Sequence, residues 1–535
     1  MAVFTSGIYS SPALAHTPAA QPIPQSSSAT PLSDTEIKSI VESALKTFNT
    51  PGLSLGIVKD GKVQYVGGFG QRNIENGTNV DGDTLFRIAS TTKAFTSAAL
   101  AVLVDEGTIS WDSKVIDILP GFRMSDPWVT REFTIRDLLT HRSGLGLGAG
   151  DLMLWPEPSG FTRAEIIHNL RYLKPVSSFR SRYAYDNLLY IVAGEVVAGA
   201  SGSTWEEFVQ KRILDPQGMK CYAGTMTESQ LRNTAMPYGF IEDKIQSIPR
   251  NAINGSVTAS APAGGLVCNA RGMNTWMLTQ LAGGKAPDGT RIFSKKQRGE
   301  MWKSHTILRV SSSERKLDNT HFKTYALGWR KDDVHGYEVI SHTGTLSGMQ
   351  AFVTLVPELD LGITVLNNGS NYGVRTAVTQ SILKAYMGQP KTNWVKYYHD
   401  KQLAAAARKK SSKKPDASND NWKGSGTVLR PLTDYAGLYK DPWFGKIDIK
   451  PSTDKKGQKA LRFQSHKSVN MKGTLEPFDQ NTFIVRWDNR GFGADAYIRF
   501  ETDFKGNINT ITMRPVDPDA DWSFDFQDLG FVRVE

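Results

Sequence analysis

The stretch Leu85-Phe86-Arg87-Ile88-Ala89-Ser90-Thr91-Thr92-Lys93-Ala94-Phe95-Thr96 decides how the rest of the chain is interpreted. It begins with apolar residues and continues into a helical pattern toward Leu103. Because residues three apart share a face of a helix, Ser90 and Lys93 should point the same way, one turn apart. The free N–H groups and the positive dipole at a helix start favour negative charge that develops on the serine.

This S-x-x-K pair has two interpretations. An amine packed among apolar neighbours has a lowered pKa and can accompany an activated serine nucleophile. Alternatively, Ser90 caps the helix and Lys93 is solvated, which is the commoner outcome for so short a motif. The choice between them depends on the rest of the chain.

Length and composition limit the fold and the function. A chain of 535 residues exceeds one compact core, so we expect two domains. Cys221 and Cys268 allow at most one disulfide, which excludes a disulfide scaffold but leaves the compartment open. No apolar run reaches about 18 residues, so we expect no membrane span.

The net charge of +10 is concentrated in one segment. Residues 401–430 contain eight basic and two acidic residues and thus carry +6 of the +10. Such a run is typical of a solvated linker, although binding of a polyanion through this segment is an alternative. We therefore expect no nucleic-acid partner.

The first 32 residues are rich in Ala, Ser, Pro and Thr and show no periodicity. Ala13-Leu14-Ala15 resembles a signal-peptidase site, but no basic segment precedes it. The segment is either a signal-peptide remnant or a disordered leader. The first reading is favoured and predicts a periplasmic or secreted protein.

The following elements predict an α/β (α+β) fold with an antiparallel sheet that is split in sequence. A capping box at 33–36 starts a helix, and apolar runs at 53–58 and 63–67 flank the hairpin turn Asp60-Gly61. A mostly helical insertion with a flexible Gly-rich loop at 143–150 follows, and strand patterns return at 325–366 before a closing helix at 374–386. This order predicts helices that flank the sheet, an inserted helical domain and a cleft between them.

The C-terminal part has a different composition. We predict a basic linker at 391–430, in which 404–414 fits a linker better than a short helix. Short strands separated by turns then predict a small antiparallel barrel at 431–535. Three tryptophans of this part, Trp443, Trp487 and Trp522, are expected in its core.

Three motifs in order carry a family resemblance: Ser90-Thr91-Thr92-Lys93, Tyr185-Asp186-Asn187 and His342-Thr343-Gly344. They resemble the S-x-x-K, Y-x-N and Lys/His-x-Gly boxes of penicillin-binding-protein and class C β-lactamase-like serine hydrolases, including DD-peptidases and D-aminopeptidases. The resemblance covers about residues 36–388 and implies a β-lactamase/transpeptidase-like domain at 33–390. Residues 431–535 resemble the lipocalin-like barrel found in many of these hydrolases.

The resemblance implies a role for each residue. Ser90 would form an acyl-enzyme, and Lys93 and Tyr185, if Lys93 depresses the pKa of Tyr185, would share its proton. Asn187 would orient Lys93 and the substrate amide. His342 would line the cleft and bind a polar or carboxylate group.

Two further residues complete the predicted site. The backbone N–H groups of Ser90 and Thr345 would form the oxyanion hole, and Gly344 would permit a close backbone approach. Without the other motifs, Tyr185 would be interpreted as a buried core tyrosine and Asn187 as the residue that starts a helix. His342 would be interpreted as a strand histidine whose ring is hydrogen-bonded within the protein. Tyr183 is a less favoured alternative to Tyr185, because only Tyr185 has an Asn two residues later.

Together these features predict an exported serine hydrolase that needs no metal or cofactor and cuts small peptides. Linearised microcystin and D-amino-acid-containing peptides are the substrates that the family likeness suggests. His342, where β-lactamases usually carry Lys, disfavours β-lactam turnover as the physiological activity. The alternatives are a carboxylesterase on the same scaffold and a non-catalytic penicillin- or peptide-binding protein.

Overall fold

The computed structural model describes residues 32–241, 243–248, 259–411, 424–454 and 456–534. The helices are α1 (Asp34–Thr47), α2 (Lys93–Asp105), α3 (Val115–Ile118), α4 (Pro127–Glu132), α5 (Ile135–Leu139), α6 (Arg163–Asn169), α7 (Leu188–Ser201), α8 (Trp205–Val209), α9 (Glu228–Leu231), α10 (Ala261–Gly264), α11 (Ala270–Leu281), α12 (Lys295–Met301), α13 (Ser312–Asp318), α14 (Gly373–Tyr386), α15 (Trp394–Ser411) and α16 (Leu432–Tyr435). In the described part of the chain, none of them is long and apolar enough to cross a membrane.

The strands fall into a large sheet, two short pairs and a barrel. In chain order they are β1 (Gly52–Lys59), β2 (Lys62–Asn73), β3 (Thr78–Asn79), β4 (Phe86–Arg87), β5 (Tyr238–Ile241), β6 (Lys244–Ser247), β7 (Val267–Cys268), β8 (Thr306–Ile307), β9 (Lys323–Tyr325), β10 (Arg330–Val334), β11 (Tyr337–Leu346), β12 (Met349–Val356), β13 (Leu361–Asn367), β14 (Gly437–Asp441), β15 (Gly445–Thr453), β16 (Lys459–Ser465), β17 (Lys472–Asp479), β18 (Thr482–Trp487), β19 (Ala496–Thr502), β20 (Ile508–Pro515) and β21 (Gly530–Arg533).

The large sheet is antiparallel and split in sequence, as predicted. Its order is β3-β2-β1-β13-β12-β11-β10-β9-β8, so the N-terminal hairpin lies beside the last strand of the domain. The hairpin turn has positive φ at both Asp60 (51°) and Gly61 (71°), the conformation that an Asp-Gly pair favours in a two-residue turn. The predicted capping box is present, because Ser33 and Glu36 bond each other's backbone N–H.

Helices cover both faces of this sheet. α1 and α14 share a core with alternate residues of β1, namely Leu53, Leu55 and Ile57. The intervening Gly56 faces α11, where a Cβ would lie 2.2 Å from the Asn274 Oδ1. On that side α2, α7 and α11 form the core of the inserted helical domain.

The predicted linker at 391–430 is wrong over its first part. α15 is a continuous helix to Ser411 that packs against α14 and α1 through the buried Trp394 and Val395. Packing of the apolar residues at the start of this segment stabilises the helix despite the basic run that follows them. Residues 412–423, which include three of the predicted linker's basic residues and two of its acidic ones, lie outside the described residues.

Strands β14 to β21 close into an eight-stranded barrel, in which β14 pairs with β21. Trp443 and Trp487 are buried in its core, as predicted, with 3% and 1% of their surfaces exposed. The barrel contacts the N-terminal domain directly. Asn169 donates to the Trp443 carbonyl (2.8 Å), and Lys467 pairs with Glu165 (2.6 Å). The prediction for Trp522 is wrong, as the site shows.

Candidate active site

Ser90 lies in a short 3₁₀ turn, Ala89–Thr92, that leads directly into α2. Ala89, just before it, has a φ of +49°, a left-handed conformation that is uncommon for a residue with a side chain. Lys93 begins the α-helix. The predicted geometry is therefore present, with Ser90 on a sharp turn rather than in regular helix.

Lys93 is completely buried and turned toward Ser90. Its Nζ donates to the Ser90 Oγ (3.2 Å), the Asn187 Oδ1 (2.8 Å) and the Ala263 carbonyl (2.8 Å). It also lies 4.9 Å from the centre of the Tyr185 ring. The solvated-lysine alternative is excluded by this burial.

Burial also changes the acid–base behaviour of this amine. Loss of water around Lys93 lowers its pKa to about 7, against the opposing charges of Asp151 and Asp186 and with a smaller contribution from Arg330. About half of the Lys93 amines are then neutral at pH 7, by the definition of a pKa. A neutral amine in hydrogen-bond contact with a serine hydroxyl can accept its proton.

Tyr185 is buried beside this pair. Burial raises the pKa of its hydroxyl, and the nearby Ser90 hydroxyl only partly opposes this. The condition under which Tyr185 would share the role of base, a pKa depressed by Lys93, is therefore not met. Tyr185 is a neutral phenol in this site and can donate a proton.

Asn187, at the start of α7, joins Lys93 to a buried carboxyl group. Its Oδ1 accepts from Lys93, and its Nδ2 donates to the Asp151 Oδ2 (2.9 Å). Asp186 caps α7 by accepting from the backbone N–H groups of Leu188 (2.8 Å) and Leu189 (3.3 Å). Asn187 thus holds the lysine amine by a hydrogen bond, and its predicted contact with a substrate amide stays a prediction.

The third motif lies on β11, at the edge of the cavity. His342 is 1% exposed, and its ring nitrogens contact the Tyr325 hydroxyl (2.9 Å) and the Thr343 carbonyl (2.7 Å). The prediction that His342 lines the cleft and binds substrate is wrong, because strand alternation turns its ring inward and presents Thr343 instead. His342 fits the alternative interpretation better, that of a strand histidine whose ring nitrogens are hydrogen-bonded within the protein.

Gly344 and Thr345 occupy their predicted places. A Cβ on Gly344 would lie 2.3 Å from the Ile88 carbonyl oxygen and 3.0 Å from the Ala89 Cβ, so only glycine lets β11 approach the Ser90 turn. Thr345 lines the cavity, and its hydroxyl accepts from Arg375 (2.9 Å). Arg375 also donates to the Gly344 carbonyl and so holds this end of the strand.

These residues surround a cavity of about 590 Å³. Ser90, Tyr185, Asn187 and Thr345 form its floor, and residues of the β5–β6 hairpin and of the barrel lie above them. A cavity of this size accommodates a small ligand rather than a folded protein.

Arg330 is a site residue that the sequence reasoning missed. It lines the cavity and donates to the Thr343 hydroxyl (2.9 Å). No carboxylate among the described residues forms a salt bridge with it. The pairing of Arg330 with Ser341 across β10 and β11 was available from hairpin register and could have placed it beside the third motif.

The barrel supplies one wall of the cavity. Trp522 is 41% exposed, lies edge-on to Tyr185 (5.6 Å between ring centres) and contacts Gly148, where a Cβ would be 2.5 Å from its ring. Phe492 and Phe524 continue this wall and contact each other (5.6 Å). No local pattern in the sequence marks this long-range contact.

In the described residues, no group of three or more His, Cys, Asp or Glu side chains is arranged to hold a metal ion. The Gly-rich loop at 143–150 contacts the site. Leu147 lines the cavity, and the Gly148 N–H donates to the Tyr185 carbonyl (2.8 Å).

Comparison with known proteins agrees with this geometry. A family model described as Beta-lactamase matches residues 37–386, and a domain of unknown function, DUF3471, matches residues 425–533. The unguisins hydrolase ungD' of Aspergillus campestris (strain IBT 28561) is 26% identical over 471 residues, which cover 85% of this chain and 84% of that protein.

Two solved structures share the fold. The octameric penicillin-binding protein homologue from Pyrococcus abyssi has a TM-score of 0.60 at 20% identity and covers 94% of this chain and 100% of its own. The D-amino acid amidase from Ochrobactrum anthropi SV3, complexed with L-phenylalanine amide, has a TM-score of 0.55 at 22% identity and covers 66% of this chain and 97% of its own. The family model spans well over half of the chain, which therefore belongs to the Beta-lactamase family of serine hydrolases.

Proposed function

We propose that the protein is a peptidase or amidase that acts through an acyl-enzyme on Ser90. The observation that carries this proposal is the contact of the buried Lys93 amine, whose pKa is lowered to about 7, with the Ser90 hydroxyl. Ser90 Oγ bonds to the substrate carbonyl carbon while its proton passes to Lys93. A tetrahedral oxyanion results.

The second half of acylation uses Tyr185. As the oxyanion collapses, the bond from carbon to the leaving nitrogen breaks, and Tyr185 donates its proton to that nitrogen. Lys93 then passes the proton that it took from Ser90 to the Tyr185 phenolate. Water attacks the acyl carbon while Lys93 accepts its proton, the bond from that carbon to Ser90 Oγ breaks, Lys93 returns the proton to Oγ, and the acid product leaves.

The backbone N–H groups of Ser90 and Thr345 are proposed to stabilise the oxyanion. Both residues line the same cavity, and the close approach at Gly344 brings their chain segments together. Each such donor is worth roughly 2.7–4 kcal/mol in well-studied hydrolases.

The cavity supports a substrate with a carboxylate and an apolar group. Arg330 offers a charged donor to a carboxylate, which takes over the role predicted for His342. Trp522, Phe492 and Phe524 offer an aromatic wall to an apolar side chain. A short peptide has both features, and we propose linearised microcystin and peptides with D-residues as the first ones to test.

One of the compared proteins supports an amide substrate, because a solved structure of this fold is a D-amino acid amidase. The unguisins hydrolase supports hydrolysis, and its name does not specify the bond. A carboxylesterase would use the same groups. Paired substrates with one acyl group, joined as an amide or as an ester, separate the two: an amidase cleaves both, and an esterase cleaves only the ester.

Intact mass after exposure to a fluorophosphonate, and separately to a penicillin, tests the nucleophile. We expect a fluorophosphonate adduct on the wild type, none on Ser90→Ala, and an undiminished one on Ser347→Ala, which removes another serine of the same cavity. A persistent penicillin adduct would indicate a slowly deacylating penicillin-binding site. Failure of both reagents on the wild type would favour the non-catalytic binding protein.

We also propose that the protein is exported. The buried Cys221 and Cys268 form a disulfide, a bond that persists in oxidising compartments. The predicted cleavage site at Ala13–Ala15 lies outside the described residues. N-terminal sequencing of protein from periplasmic and secreted fractions should find a chain that begins after Ala15, and a chain found only uncleaved in the cytoplasm would contradict export.

A further inference from the structure

One barrel aspartate reaches across the domain contact to the chain beside the active site. Asp525 is completely buried. Its Oδ2 accepts from the Gly150 N–H (2.6 Å) and its Oδ1 from the Leu152 N–H (3.2 Å). These amides open the short turn Asp151–Met153, in which Gly150 has no side chain to provide a cap. The barrel therefore supplies the cap that the hydrolase domain lacks.

The capped turn is directly connected to the proposed base. Asp151, the first residue of the turn, accepts from the Asn187 side chain (2.9 Å), whose oxygen accepts from Lys93 (2.8 Å). The hydroxyl of Ser523, also from the barrel, lowers the pKa of Asp151 against the effect of burial. Asp525 is thus linked to Lys93 through the backbone of the turn, the Asp151 carboxyl group and the Asn187 amide, whose positions depend on one another.

We propose that Asp525 is a positioning residue for the Ser90–Lys93 pair, so that the C-terminal barrel completes the active site of the hydrolase domain. The inference rests on the proposed role of Lys93. It differs from simple docking, because a docking contact would affect stability alone. Asp525 acts through Asp151 and Asn187 and touches no substrate.

The charged and titratable groups around Lys93 come from several elements. Asp151 and Asp186 oppose the lowering of its pKa, Arg330 on β10 favours it, and the rings of Tyr185 and Tyr190 face the amine. His141 and His342 also lie close enough for Lys93 to affect their own pKa values. A shift of the turn at Asp151 would change this balance as well as the hydrogen bonds.

The test compares Asp525→Asn with Asp441→Asn. Asp441 is a matched control, because it is also buried in the barrel and accepts backbone N–H groups, but only from Trp443, Phe444 and Gly530. The readouts are the thermal midpoint and the labelling of Ser90 by an uncharged fluorophosphonate, followed by intact mass and separated into kinact and KI across pH 5–9.

We expect both variants to lower the thermal midpoint. Only Asp525→Asn should reduce kinact, by about 10- to 100-fold, with KI within about twofold and with a displaced pH profile. A fall in the labelled fraction at an unchanged rate constant would reflect unfolding alone and would overturn the proposal. Equal kinact values in both variants would overturn it too.

A second, milder variant keeps the test informative if Asp525→Asn does not fold. Ser523→Ala removes the barrel hydroxyl that lowers the pKa of Asp151 and should reduce kinact by about two- to twelvefold, the factor that corresponds to about 0.5–1.5 kcal/mol for one polar contact. If Asp525→Asn is insoluble, a wild-type kinact in Ser523→Ala overturns the proposal. Absence of labelling in the wild type would instead refute the proposed function.

Discussion

The rate at which Ser90 is acylated should rise with pH through about pH 7. The base works only when Lys93 is unprotonated, and burial lowers the pKa of Lys93 from 10.5 to about 7. With that pKa, about half of the amines are neutral at pH 7 and about 1% at pH 5, so the rate should fall about 50-fold between these pH values. With an ordinary pKa, only about 0.03% would be neutral at pH 7.

Two substitutions should move the rising limb of this pH–rate profile in opposite directions along the pH axis. Arg330→Gln removes a positive charge that lowers the pKa of Lys93, so the limb should move to higher pH. Asp186→Asn removes a negative charge that raises the pKa of Lys93, so the limb should move to lower pH, while the amide oxygen still caps α7.

The assay is kinact/KI for an uncharged fluorophosphonate between pH 5 and 9, with the pH dependence of the probe's own hydrolysis subtracted. Tyr185→Phe is the control, because a phenol with a raised pKa does not titrate in this range. A flat profile, or a limb that rises only near pH 10, would refute the assignment of Lys93 as the base. So would shifts of the same sign in both charge variants.

Three further predictions concern the walls of the cavity. Arg330→Gln should raise the KM of a peptide with a free carboxylate about 10- to 150-fold, because a charged hydrogen bond worth about 1.5–3 kcal/mol is lost. The KM of the same peptide as its methyl ester should not rise, and an equal effect of the substitution on both peptides would contradict a carboxylate site. Gly344→Ala should lower kcat about 100-fold by displacing the nucleophile turn, whereas Gly299→Ala, in open space on α12, should be harmless; equal activities would refute the close-approach argument. Trp522→Ala should weaken the binding of substrates with an aromatic side chain about two- to twelvefold, because a ring contact worth about 0.5–1.5 kcal/mol is lost. Trp128→Ala, at an exposed tryptophan, should leave this affinity unchanged, and competition binding measures both.

The sequence predicted the parts of the fold that local patterns encode. Asp60-Gly61 predicted a hairpin because few residue pairs tolerate its backbone angles, and Ser33 with Glu36 predicted a helix start. The spacing of Ser90 and Lys93 predicted their contact, because three residues make nearly one helical turn. The basic run after Ala404 misled the prediction for α15, whose helix is stabilised by packing of Trp394 and Val395.

The errors at the site concern orientation and long-range packing. The third motif placed β11 correctly, but the motif alone could not show that the His342 ring points inward and contacts Tyr325. Trp522 and Asp525 act on residues more than 300 positions earlier, and no short pattern encodes such contacts. The pKa of Tyr185 follows from its burial, which depends on the assembled core.

The central claim is that Ser90 and Lys93 act as a nucleophile–base pair, and site-mapped labelling tests it most directly. Wild type and Lys93→Met are treated with the fluorophosphonate at pH 8, digested and analysed by tandem mass spectrometry. The predicted result is one phosphonyl group on Ser90 in the wild type and none in Lys93→Met over the same time. A phosphonyl group on another residue, or labelling of Lys93→Met at the wild-type rate, would contradict the account.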